Sequence, residues 1–141
     1  VLGFDFGERR IGVAVGDLET RIAHPLATVA ARENRARFAA IARLVAEWRP
    51  VLFVVGVPTR TDGVEHPVGA LARRFARRLE GRFAVRARLV DERLTSHDAE
   101  RALRAAGARG ARLKAGLDAV AAQRILETFF EQARERESAR P

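Results

Sequence analysis

The chain contains no cysteine, which excludes disulfides and thiolate metal ligands and permits a reducing compartment. Histidine is scarce as well: His24, His66 and His97 are spread too widely for a zinc site. No apolar run approaches the length of a membrane span, and no secretory leader is evident, although the chain opens on Val1 rather than Met. A cytoplasmic protein that engages no membrane is the expectation. Lysine is nearly missing too, since Lys114 is the one exception among 26 basic residues.

What is present is apolar and basic. Hydrophobic residues make up 48% of 141 residues, enough for one domain with its own core and against a disordered chain. The formal net charge is +8. The segment from Arg73 to Lys114 holds thirteen basic and five acidic residues, so it carries an excess equal to that of the whole molecule. Guanidinium groups bind phosphate bidentately and stay charged. Charge alone therefore fits a nucleic-acid partner and a plain solvated face about equally.

Periodicity gives the elements. Val1–Phe6 and Ile11–Val15 read as two strands joined by the turn Gly7-Glu8-Arg9-Arg10, and Leu26–Ala30 as a third. A helix is expected from Asn34 to Arg49 on the stripe Phe38, Ile41, Val45, Trp48, stopped by Pro50. Val51–Val55 is continuously apolar, like a central strand buried on both faces. Gly56–Gly63 reads as a loop, and His66–Glu80 as a helix with Val68, Leu71, Phe75 and Leu79 inward and Arg73, Arg74, Arg77 and Arg78 outward. A strand over Ala84–Val90 follows, then a helix capped by Thr95 or Ser96 and ending near Gly107. Ala108–Gly116 reads as a glycine-punctuated basic loop, and Leu117–Arg134 as the last helix. One domain over 1–134 with a frayed polar tail over 135–141 results. A hairpin and third strand followed by alternating helix and strand imply an α/β fold, a mixed sheet flanked by helices.

Three acidic positions could carry chemistry. Strand alternation sends Asp5 to the face of Gly3 and Gly7, opposite Leu2, Phe4 and Phe6, and Gly12, Ala14 and Gly16 offer a small-residue face on the next strand. Open space beside a carboxylate suits a hard cation or a phosphate, whereas the plainer alternative is a carboxylate capping its own turn. Asp91 and Glu92 end a strand on opposite faces, so one of them enters a site, and pattern does not choose between them. Asp118 shares a helical face with Ala122, Ile125 and Phe129, which turns it toward the sheet, although Asp is favoured in a first helical turn anyway. Arg9, Arg10, Arg60, Arg93 and Lys114 distribute positive charge around these acids.

At this point the residues resemble a known family. Gly3-Phe4-Asp5-Phe6-Gly7-Glu8-Arg9-Arg10-Ile11-Gly12-Val13-Ala14-Val15-Gly16-Asp17, Val55-Gly56-Val57-Pro58, Asp91-Glu92-Arg93-Leu94-Thr95-Ser96 and the run from Lys114-Ala115-Gly116-Leu117-Asp118 to Leu126 are similar to the signatures of the YqgF/RuvX family, in the same order and with similar gaps. The resemblance frames nearly the whole chain. It implies a ribonuclease H-like fold with a mixed five-stranded sheet, and a nuclease that matures the 5′ end of pre-16S ribosomal RNA in the bacterial cytoplasm. It also implies that Asp5, Glu92 and Asp118 are the metal-binding acids, with Asp91 the alternative to Glu92. Gly16 stands where many relatives carry Ser. True junction resolvases place an acid at the end of the central strand, but here that strand runs into Gly56-Val57-Pro58, with no acid before Asp62.

Carboxylate ligands favour Mg²⁺ or Mn²⁺. Two such ions roughly 4 Å apart would align water and neutralise the phosphorane-like transition state. Asp5 would bridge them, Glu92 and Asp118 would each hold one, and Arg9, Arg10, Arg60, Arg93 and Lys114 would bind phosphates of an rRNA precursor or branched DNA. Three rivals stand beside this. An actin- or Hsp70-type phosphotransferase shares a related hairpin but needs a longer chain. A non-catalytic rRNA-binding assembly factor needs the charge but not the acids. A Holliday-junction resolvase acting on DNA needs two symmetric sites and hence a homodimer, whereas an RNA-processing enzyme could be a monomer.

Overall fold

The structure, a computed structural model, describes residues 1–58, 67–92 and 110–138. Alternation in β1 (Leu2–Asp5) buries Leu2 and Phe4 on one face and turns Gly3 and Asp5 to the other. The strand pairs antiparallel with β2 (Ile11–Gly16) and parallel with β4 (Phe53–Val57). β3 (Ala23–Val29) extends the sheet antiparallel beside β2, and β5 (Ala87–Asp91) extends it parallel beside β4. The order β3-β2-β1-β4-β5 makes one mixed five-stranded sheet with β1 at its centre.

Helices α1 (Asn34–Trp48) and α2 (Pro67–Phe83) cover one face. There Phe38 and Ile41 of α1 and Phe75 and Leu79 of α2 pack on Leu2, Phe4, Ile11, Val13, Phe53 and Val55. Phe4 meets Phe53 and Phe75 edge to face at ring separations of 5.7 and 5.5 Å, an arrangement the ring quadrupoles favour. The long helix α3 (Gly110–Ser138) covers the other face, packing Ala122, Ile125, Leu126 and Phe130 on Ala14, Ala23, Val54 and Val90. The layers are therefore α/β/α, the expected class. All five residues of β4 are buried, although the strand begins at Phe53 rather than Val51, which is 72% exposed, and runs on through Gly56 to Val57.

Several expectations are corrected. β3 begins at Ala23, not Leu26, and includes Pro25. An edge strand tolerates the missing N–H of proline. Residues 110–116 are helical, not a loop, and the helix continues through the polar tail to Ser138. Two glycines at about 1 kcal/mol each are outweighed by Ala, Arg, Leu and Lys between them and by a helix anchored on the sheet further along. Trp48 and Leu71, expected inward, are 43% and 38% exposed. Trp48 sits in the last turn of α1, before Arg49 leaves the helix in a left-handed conformation. On α2 the packed side is Ala72, Phe75, Ala76 and Leu79, and the small alanines bring that side closest to the sheet. The helix expected between Thr95 and Gly107 lies outside the described residues.

Candidate functional site

Asp5 ends the central strand, and its cross-strand partners are Gly12 on β2 and Gly56 on β4. These three residues form a row across the sheet on the face of α3. The glycines were expected to leave open space, but the structure fills it. A Cβ on Gly12 would lie 1.8 Å from the backbone oxygen of Asp118, and one on Gly56 would lie 2.3 Å from Ile125 Cδ1 and 2.7 Å from Glu92 Oε1. Their lack of side chains lets α3 and Glu92 approach Asp5. The same principle extends along the sheet, where Gly3 and Gly16 accommodate Leu126 and Phe130.

Register sends Asp91 and Glu92 to opposite faces of the sheet. Asp91 pairs with Val57, whose side chain belongs to the core under α1 and α2, so Asp91 sits on that face. Glu92, one residue on, returns to the α3 face, against Gly56, and is hydrogen-bonded to Asp5. Burial pushes the Glu92 carboxyl up to about 9, and the hydrogen bond with Asp5 and the charges of Asp5 and Asp91 add to the rise. Burial also raises Asp5. The hydrogen bond from Glu92 opposes that rise, and the charge of Asp118 adds to it. The two carboxyls thus share a proton, as two desolvated like charges must when no cation separates them.

Asp118 is brought in by the packing of α3. Its backbone rests on Gly12, while its Oδ2 accepts a hydrogen bond from Nε of Arg10 at 2.7 Å. Asp118 is mostly buried and Arg10 is partly exposed. Gln123 pins the same helix to the sheet by donating to the Ala23 carbonyl at 3.0 Å. A shallow cleft of about 390 Å³ opens over this corner, lined by Arg9, Arg10, Glu8, Val68 and Asp118 among others. It reaches Asp118, while Asp5 and Glu92 lie outside its lining.

Of the positions singled out in the sequence, Asp5 and Glu92 are in contact, and Asp118 is near enough to act on Asp5 electrostatically. Arg9 and Arg10 border the cleft. Lys114 lies on α3 one turn before Asp118. Arg60 and Arg93 fall outside the described residues. Among the described residues no group of three or more acidic or histidine side chains is gathered so that it could hold a metal ion. The donor set nevertheless fits a hard divalent cation. Its ligands are all carboxylates, two of them share a proton that such an ion would replace, and the third is held by a cation, Arg10.

The sequence reading missed Arg37. It is 4% exposed. Its guanidinium donates to the Gly7 carbonyl at 2.8 Å and to the carbonyls of Glu8 and Ala31, and it stacks over Phe6 at 5.5 Å. It therefore clamps the β1–β2 turn that carries Arg9 and Arg10. The signal was available, because Arg37 stands one turn before Ile41 on the apolar side of α1.

Comparison with known proteins supplies independent information. The family model described as RuvX, Holliday junction resolvase, matches residues 1–132. A protein of Chromobacterium violaceum named "Putative pre-16S rRNA nuclease" is 57% identical over 132 residues, covering 93% of this chain and 96% of its own. A protein of Methylobacillus flagellatus with the same name is 54% identical over 131 residues, covering 93% and 90%. Among solved structures, RuvC of Thermus thermophilus superposes with a TM-score of 0.58 at 17% identity, covering 95% of each chain. The structure described as T. thermophilus RuvC in complex with Holliday junction substrate gives 0.56 at 18%, covering 95% and 94%. At that identity the likeness speaks for the fold alone, and the fold is ribonuclease H-like.

Proposed function

The chain belongs to the RuvX family of Holliday junction resolvases, and from that premise we propose that it is a divalent-metal-dependent nuclease that trims the 5′ end of pre-16S ribosomal RNA in the cytoplasm. The observation that carries the reading is the half-buried, hydrogen-bonded Asp5–Glu92 pair with Asp118 beside it. A fold gains nothing by desolvating adjacent carboxylates, which raises both of them, so the arrangement supports a site built for a cation. The RNA substrate rests on relatives more than half identical that carry that name.

Asp5, Glu92 and Asp118 would hold Mg²⁺ or Mn²⁺ through oxygen. When bound, such an ion neutralises charge on the scissile phosphate and makes water more acidic. The protein's own groups do the rest. Asp5 would be the central ligand, since Gly12 and Gly56 have no side chains to stand between it and its neighbours. Glu92 would have to be ionised to join it. Arg10 holds Asp118 in an ion pair and, beside Arg9 at the cleft, would be placed to meet substrate phosphate. Arg60, Arg93 and Lys114 would be further phosphate ligands on the sequence resemblance alone.

A second reading, resolution of branched DNA by a homodimer, is favoured by the family's description. One experiment separates them. Single-stranded RNA, a precursor rRNA 5′ segment and a four-way DNA junction are each incubated with Mn²⁺ or Mg²⁺ and either wild type or Asp5→Asn. Cleavage of the precursor that the variant abolishes supports rRNA processing, and cleavage of the junction supports resolution. Binding without cleavage, equal in both proteins, would make the chain a non-catalytic assembly factor.

A further inference from the structure

A second cleft, of about 260 Å³, lies on the other side of the β1–β2 turn, between α1 and α2. Arg74 and Arg78 project into its lining from α2, Asn34 from the first residue of α1, and Glu8 from the turn itself. Glu8 also borders the cleft at Asp118, so the two depressions meet at this residue. Among the described residues neither Arg74 nor Arg78 forms an ion pair, although both are arginines on a chain with other acids to choose from. The first turn of α1 contains no acid, and Glu33 before it makes no side-chain cap hydrogen bond, so the first amides of that helix are not capped by its side chain. The floor is fixed by Arg37, whose Nη2 donates to the Gly7 and Glu8 carbonyls of the turn and whose charge remains beside the cleft. The ridge between the two clefts is therefore held rigidly, and positive groups face it from both sides.

Resting on the nuclease reading above, we propose that this second cleft is a phosphate subsite, in which Arg74 and Arg78 hold the phosphodiester backbone of the same nucleic-acid strand whose cleavable phosphate lies at Asp118. The strand crosses the β1–β2 turn over Glu8, with Arg9 and Arg10 on one flank and Arg74 and Arg78 on the other. Backbone phosphate is the ligand, so the contact positions the strand and carries no base preference. It also gives the basic face of α2 a specific task, which the outward pattern of Arg73, Arg74, Arg77 and Arg78 left undefined.

The test is equilibrium binding in EDTA, where no cleavage occurs, at several salt concentrations, with short single-stranded RNA and with a four-way DNA junction as probes. Arg74→Ala/Arg78→Ala is compared with Arg88→Ala/Arg136→Ala, which removes equal charge from a cleft at the far end of β5 from Glu92. Loss of two phosphate contacts lowers the slope of log K against log salt by about 1.4 for single-stranded RNA and about 1.8 for duplex arms. The proposal expects that loss for the first pair and none for the second, and the probe that shows the full loss expected for its own form identifies the strand. An unchanged slope in the first pair, or equal losses in both, overturns it. A protein that binds with the expected loss yet never cuts with Mn²⁺ refutes the nuclease reading and leaves the subsite standing. One that cuts but ignores Arg74 and Arg78 does the reverse.

Discussion

Gly12→Ala isolates the contact on which the site depends. The added Cβ would sit 1.8 Å from the Asp118 carbonyl oxygen. That oxygen is backbone within a helix, so it cannot swing aside as a side-chain tip can. Restoring an ordinary separation requires α3 to retreat by about 1.7 Å at this point, since non-bonded heavy atoms settle near 3.5 Å. The retreat loosens Ile125 and Leu126 from the sheet and carries Asp118 away from Asp5. Overpacking of this kind costs about 3 kcal/mol, which lowers the melting temperature by about 10 °C in a domain of this size. A displacement of this order costs about 100-fold in cleavage rate. Gly81→Ala is the matched control. Nothing lies within 4 Å of the added methyl on α2, and it should stabilise by about 1 kcal/mol through helix propensity. Thermal unfolding by circular dichroism and single-turnover cleavage read both variants. Wild-type stability and rate in Gly12→Ala would refute the close packing of α3 on β2 and the site geometry derived from it.

Other expectations follow from the same contacts. The Glu92 carboxyl is raised from 4.5 to about 9, so the folded state binds more protons than the unfolded state between those values. Stability of the metal-free protein should therefore fall as pH rises through that window. Glu92→Gln should flatten the fall in urea titrations, and an equally steep profile in the variant would refute the shared proton. Arg10→Gln frees Asp118 from a partly exposed ion pair worth about 0.5–1 kcal/mol. Calorimetry should then show Mn²⁺ binding about three-fold tighter, and weaker binding would contradict the role of Arg10 as a stand-in for the ion. Arg37→Leu strips the donor from the Gly7 and Glu8 carbonyls and should cost about 3 kcal/mol. Chemical denaturation measures it, and a loss below 1 kcal/mol would mean the turn holds without the clamp.

Much of the fold is written in local patterns. β1 and β2 alternate large and small residues so sharply that their two faces, and the side on which Asp5 lies, can be read directly. β4 is legible as a buried strand because no polar residue interrupts it. The sheet order is not local, since nothing in Phe53–Val57 states that it pairs with β1 in parallel. The acids were legible as candidates, but the selection of Glu92 over Asp91 waits on the register with Val57, which a shift of one residue would reverse. The glycines misled in an instructive way. A small-residue face in sequence can mean an open pocket or a neighbour pressed close, and only the position of α3 distinguishes them. The start of α3 was hidden for a similar reason, because Gly110 and Gly116 are helix breakers in isolation and are tolerated in a long helix anchored on the sheet. Arg37 was overlooked because arginine on an apolar stripe reads as a snorkelling surface residue until the carbonyls it meets are known.

The most direct test of the central claim is calorimetric titration of Mn²⁺ into the metal-free protein at neutral pH, repeated in buffers of different ionisation enthalpy. The account predicts binding accompanied by proton release, because the ion replaces the proton shared by Asp5 and Glu92, and loss of both signals in Asp5→Asn with the fold intact. Binding that survives in Asp5→Asn, or an Mn²⁺ titration without heat or proton release in the wild type, would contradict a metal centre built from Asp5, Glu92 and Asp118.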